Sequence, residues 1–283
     1  MDSFAADIWK TNSRQWSRIG QPLRPGKEDA AFTRNAISDW LRAAKRSAPA
    51  FLVMGVTPEL CGLWMDSGGR VIAVDKSASM IQSIWPGRLR PGDEAVCADW
   101  RGMPLATSSI DFALGDGFLS TLKYPSDYSV AFSELHRVLA RGGRCAVRCF
   151  TQLDNRETPE EVFADLDAGR IGSFAVFKWR LNMAFQPDAA TGVAVKCAWH
   201  AVNDTWKDLS IPAARYGWPI EDVLTINAYR TVDTRFSFPT RSQYCTFFSD
   251  AGFSVIRVAT PSYELGERCP TFILERRDGP SEA

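Results

Sequence analysis

Histidine is nearly absent from this chain, with only His136 and His200 present. The seven cysteines (Cys61, Cys97, Cys145, Cys149, Cys197, Cys245 and Cys269) are scattered, odd in number and never spaced as Cys-x-x-Cys. These scarcities argue against a zinc site and against a disulfide framework. Cysteines set in apolar runs behave as small hydrophobes, and a reducing, cytoplasmic location is expected. An excess of charge is missing too, since 33 Lys and Arg face 33 Asp and Glu. That balance gives no electrostatic reason for nucleic acid or an anionic membrane as partner. No uncharged apolar run approaches the ~20 residues that cross a bilayer. The opening MDSFAADIWK lacks the basic-then-apolar order of a secretory leader. A small-molecule substrate fits this profile, and the oligomeric state is left open.

What the sequence does have is a regular alternation of short apolar runs and helical patterns, in 283 residues of which 45% are hydrophobic. Helical spacing predicts helices over 5–18 and 28–46, with the Gly- and Pro-punctuated RIGQPLRPG as a loop between them. Strands are predicted at 51–55, 70–75, 94–99, 110–116 and 144–150. Helices are predicted from Pro58, over 77–85, and over 126–143, the last closed by Gly142 and Gly143. Such alternation implies a parallel sheet covered on both faces. From 151 to 239 the pattern breaks into a segment rich in large aromatics, among them Phe174, Phe177, Trp179, Trp199, Trp206 and Trp218. Helical patches are expected within 158–186. A helix over 240–253 and strands at 254–260 and 271–277 follow, and the short link between those strands suits an antiparallel pair.

The turn in FLVMGVTPEL (51–60) sits where a Rossmann-like sheet receives its nucleotide. Thr57 suits an N-cap, Pro58 the first helical position and Glu59 the first turn. As a phosphate cradle the turn is poor, because Pro58 lacks an N–H and Glu59 would repel a pyrophosphate. The Gly-x-Gly-x-x-Gly fingerprint is absent. A cationic cofactor without phosphate fits an acidic first turn better.

With Gly55, Thr57 and Glu59 where three loop glycines are usual, and with acidic residues closing successive strands, the chain resembles the class I S-adenosylmethionine-dependent methyltransferases. It looks like a divergent small-molecule branch with a GVTPE loop. The resemblance implies an α/β fold: a Rossmann-like, seven-stranded, mostly parallel sheet with an antiparallel last strand, N-terminal helices, and a lid insertion between strands five and six. It implies a single domain over 1–283, divided into a helical cap (1–46), a cofactor-binding half (47–150), a substrate-lid insertion (151–239) and a closing helix and hairpin (240–283).

By the same resemblance Asp75, about 20 residues past Gly55, accepts hydrogen bonds from the ribose hydroxyls. Asp99 takes the adenine amino group, with Trp100 beside the base. Gly115, Asp116 and Gly117 line the methionine half of the cofactor. Met80 covers an adenine face or packs in the core, while Lys76 and Ser77 contact adenosine or face solvent. Arg24 pairs with the methionine carboxylate or is simply exposed, and Trp16 walls the same mouth. His200 is the candidate general base, with Asp204 as its orienting partner. The insertion's aromatic rings enclose an acceptor or form their own core. The implied reaction is in-line displacement of the sulfonium methyl by an O, N, S or C nucleophile, releasing S-adenosylhomocysteine. No metal is called for. A different chemistry on the same cofactor, such as dehalogenation-type transfer, and a non-catalytic cofactor-binding subunit both stay open.

Overall fold

The computed structural model describes residues 3–63 and 68–278. Two helices lead, α1 (Ser3–Arg14) and α2 (Lys27–Ala44). The alternating region then gives β1 (Ala50–Met54), α3 (Pro58–Cys61), β2 (Arg70–Asp75), α4 (Ala78–Ile84), β3 (Glu94–Cys97), β4 (Ile110–Asp116), α5 (Ser126–Val138) and β5 (Leu139–Arg148). The aromatic segment contributes five helices and a two-strand ribbon: α6 (Pro159–Asp167), α7 (Phe174–Phe185), β6 (Val193–Ala194), α8 (Lys196–Thr205), α9 (Ser210–Tyr216), α10 (Ile220–Leu224) and β7 (Arg235–Phe236). The chain closes with α11 (Arg241–Asp250), β8 (Phe253–Ala259) and β9 (Thr271–Arg276).

Seven strands form one sheet in the order β3-β2-β1-β4-β5-β9-β8. All pairings from β3 to β5 are parallel, and β9 runs antiparallel to both of its neighbours. The central strands need no polar face because helices cover both sides, and every residue of β1 is buried. Phe51, Val53, Phe112 and Leu114 pack on one side against Ile37 and Trp40 of α2. Leu52, Met54 and Ala113 face the other side, where Tyr128 and Phe132 of α5 meet Tyr244 and Phe248 of α11.

One local reading is corrected. Helix α5 ends at Val138, and Gly142 and Gly143 belong to the strand that follows. Leu139 already pairs with Ile110, then the register breaks and resumes at Arg144 opposite Phe112. Gly142 adopts a φ of 68°, which lets the four residues between these points loop out of the ladder. The aromatic segment builds a core of its own. Phe174, Phe177, Trp206 and Trp218 are buried together, with Phe163 packed at the edge. Among the described residues no helix is long and apolar enough to cross a membrane.

Candidate functional site

Beyond the ends of β1, β2 and β4 lies a cleft of about 1030 Å³, roofed by α1, the segment that follows it and the aromatic segment. Its floor is the turn after β1. Gly55 holds a φ of 109° while its N–H donates to the Val74 carbonyl at 2.8 Å, folding the turn back toward the end of β2. That backbone conformation is what requires glycine here. Thr57 starts α3 through its carbonyl, which accepts from the Leu60 and Cys61 amides at 3.0 and 3.1 Å. Its side chain makes no capping bond. Met54, Val56 and Thr57 line the cleft.

Asp75 closes β2 and faces this turn with only 8% of its surface exposed. The Ser77 amide donates to its Oδ1 at 2.8 Å, and Oδ2 lies on the Gly55 side. Among the described residues the carboxylate forms no ion pair. Burial pushes its pKa up to about 6, opposed by the Ser77 N–H and the Lys76 charge. Ser77 also caps α4 by accepting from the Met80 amide at 3.3 Å. Met80 is buried and lines the cleft, so packing and contact with a ligand are both open to it. Trp100 adds a second wall, pinned by its Nε1–H to the Val74 carbonyl at 2.5 Å and set edge-on to Phe118 at 5.3 Å.

Asp116 ends β4 in a buried ion pair with Arg148 of β5, Nε to Oδ1 at 2.5 Å. Burial raises the pKa of Asp116, and the Arg148 charge and hydrogen bond oppose the rise. Arg148 also donates to the Pro22 carbonyl at 2.8 Å, tying the sheet to the N-terminal loop. The roof includes Trp9, Asn12 and Trp16 from the N-terminal side, and Lys178, Trp179, Tyr229 and Phe236 from the aromatic segment. Two roof indoles, Trp16 and Trp179, have buried Nε1–H groups without a partner among the described residues. Orphaned donors on a cavity wall suit a ligand that carries acceptors.

Of the residues anticipated from sequence, Gly55, Thr57, Asp75, Lys76 and Met80 converge on the cleft, as do Trp100, Asp116 and Gly117. Others are placed differently. Arg24 forms a salt bridge with Glu59, donates to the Trp16 carbonyl at 3.0 Å and stacks on the Trp16 ring. The acidic first turn is therefore neutralised from within, and neither side chain lines the cleft. Pro58 and Ser77 lie behind the lining, and Gly115 backs onto a small void beside Arg148. Asp99 is turned away, its carboxylate gripped by Arg101 at 2.7 and 2.9 Å, which holds its pKa below the usual range. His200 sits exposed on α8 with its ring against Trp199, and Asp204 pairs with Lys207 in solvent. Neither reaches the cleft.

Lys178 and its neighbour Thr225 are lining residues that periodicity passed over. The available signal was a lysine inside FAVFKWRLNMAF, an apolar setting in which an unpaired charge is rare.

Residues 54–147 match the family model described as "Methyltransferase domain". No curated protein matches the chain. Among solved structures, a Rhodobacter sphaeroides protein provisionally described as a Zn-dependent alcohol dehydrogenase is 13% identical, covering 98% of this chain and 100% of its own, with a TM-score of 0.63. The 1,6-didemethyltoxoflavin N1-methyltransferase of Burkholderia thailandensis, with its substrate and S-adenosylhomocysteine bound, is 11% identical, covering 98% of this chain and 88% of its own, with a TM-score of 0.56. The magnesium protoporphyrin IX methyltransferase of Synechocystis, bound to S-adenosylhomocysteine, is 14% identical, covering 96% and 97%, with a TM-score of 0.52. At these identities the likeness is one of fold. The zinc in the first description finds no counterpart here: among the described residues no group of three or more His, Cys, Asp or Glu is arranged to hold a metal ion.

Proposed function

We propose that this chain, whose residues 54–147 match the methyltransferase-domain model, is a class I methyltransferase that methylates a small-molecule acceptor. The cofactor is S-adenosylmethionine, and when bound it supplies a sulfonium methyl that an acceptor nucleophile displaces in line, leaving S-adenosylhomocysteine. The observation that carries the reading is Asp75, a buried carboxylate at the end of β2 that lines the cleft beside the Gly55 turn. Such a group accepts two ribose hydroxyl hydrogens. Met80 and Trp100 present apolar faces for adenine. The Gly55–Thr57 backbone and Asp116, paired with Arg148, line the methionine side.

The residues of 151–239 serve as the acceptor lid. Phe150, Trp179, Tyr229 and Phe236 enclose the remaining volume in largely apolar walls, the setting in which small ligands are oriented and water is excluded. Two fold neighbours, the 1,6-didemethyltoxoflavin and magnesium protoporphyrin IX methyltransferases, support an acceptor that is a small molecule. Residence in the cytoplasm goes with the reading, since all seven cysteines are free thiols.

Thermal-shift titration with S-adenosylmethionine and S-adenosylhomocysteine, followed by label transfer from methyl-labelled cofactor into metabolite extracts, tests it. Stabilisation by both nucleosides together with a labelled small molecule is expected. Stabilisation without transfer to any acceptor would favour a binding-only role, and no response to either nucleoside would sink the proposal.

A further inference from the structure

Among the described residues, three basic side chains are almost wholly buried: Arg148, Arg268 and Lys178. Two of them have carboxylate partners. Arg148 meets Asp116, and Arg268 meets Glu157 at 2.7 Å. Lys178, 5% exposed and lining the cleft, has none among the described residues. Its Nζ donates to Thr225 Oγ1 at 3.0 Å, and that hydroxyl in turn donates to the Asp222 carbonyl at 2.6 Å. The threonine oxygen is therefore fixed as an acceptor toward the ammonium. The Phe174 and Tyr229 rings lie 5.8 and 5.3 Å from Nζ, and their π-faces favour a cation there. Asp222 is the acidic side chain whose field reaches the site, but it stands beyond ion-pair distance.

These contacts keep a charge in place without cancelling it. An ammonium carries three donors, and one of them is used. A buried charge is costly until it is paired, and elsewhere this fold pairs its buried cations. Burial brings the Lys178 pKa down to about 8, so the ammonium form still prevails at neutral pH. The site is thus built for an anion that arrives from outside. Lys178 is carried by α7 on the wall with Trp179, Thr225 and Tyr229, whereas Asp75 ends β2.

We propose that the acceptor is an organic acid, whose deprotonated oxygen pairs with Lys178 and is thereby oriented in the cleft. This rests on the methyltransferase reading, and names the substrate class for the same site. Lys178 is on this account a specificity-determining residue.

The test uses the full chain saturated with S-adenosylhomocysteine, titrated calorimetrically with matched probes: 4-nitrobenzoate against 4-nitrobenzamide, and 2-naphthoate against 2-naphthamide. The acids are expected to bind about tenfold or more tightly than their amides, the scale of one hydrogen bond between charged groups. Lys178→Met should abolish that preference, Lys178→Arg should keep part of it, and both variants should bind S-adenosylhomocysteine within about twofold of the parent, which also reports that they are folded. Amides binding as well as acids, no binding of either acid, or a preference that survives Lys178→Met would overturn the proposal. So would a large loss of S-adenosylhomocysteine affinity in Lys178→Met, which would assign the lysine to the cofactor's own carboxylate. Failure of the parent chain to bind S-adenosylhomocysteine would instead count against the methyltransferase reading itself.

Discussion

Asp75→Asn separates the cost of a buried functional carboxylate from its use. In the ligand-free protein, burial raises the Asp75 pKa from its ordinary 3.8 to about 6. That rise corresponds to about 3 kcal/mol of destabilisation once the group is ionised. The sign follows from a raised folded-state pKa: the favourable contribution is complete below pH 3.8 and disappears as pH climbs through about 6. Asparagine keeps an oxygen for the Ser77 amide and carries no charge. The ligand-free variant should therefore melt a few degrees above the parent at neutral pH, with the difference vanishing toward pH 4.

Binding should move the other way. Losing a charged acceptor for the ribose hydroxyls costs about 1.5–3 kcal/mol, or roughly 10- to 150-fold in the S-adenosylhomocysteine Kd. Parent affinity should also fall about tenfold for each pH unit below about 6, as the carboxylate protonates, while the variant's affinity stays flat. Thermal denaturation across pH, paired with calorimetric titration of S-adenosylhomocysteine, reads both effects. A variant that melts lower than the parent, or binds the nucleoside equally well, would refute the assignment of Asp75.

His200→Ala should leave turnover and stability within error of the parent, because the ring is exposed on α8 and away from the cleft. A loss of turnover beyond tenfold in a labelled-methyl assay would return His200 to the reaction. Asp116→Ala should cost about 3–5 kcal/mol in urea denaturation, since it strands the Arg148 guanidinium in the interior. Replacing both partners, as in Asp116→Asn with Arg148→Met, should recover much of that loss.

The sheet was readable because its signals are local. Short apolar runs ending in Asp75 and Asp116 mark both the strands and the end of the sheet where the cleft forms. Gly55 was readable for the same reason, as the one residue at that junction free to take a positive φ. What sequence could not supply were pairings made only by the fold. Arg24 and Glu59 each looked available to a ligand, and each cancels the other across a separation of 35 positions. Asp99 differs in the opposite way, because Arg101, only two residues away, engages its carboxylate. A strand-end carboxylate next to a local arginine is satisfied before any ligand arrives. Segment 151–239 resisted because α7 is apolar almost all round, leaving no face to orient it. Its buried lysine becomes informative only when the absence of a carboxylate partner is visible.

The central claim is that adenosine lies at the ends of β1 and β2 with its ribose on Asp75. A crystal structure of the S-adenosylhomocysteine complex tests this most directly. The account predicts both ribose hydroxyls on the Asp75 carboxylate, adenine against Met80 and Trp100, and sulfur directed toward the wall that holds Lys178. A nucleoside bound elsewhere, or oriented with its ribose away from Asp75, would contradict it.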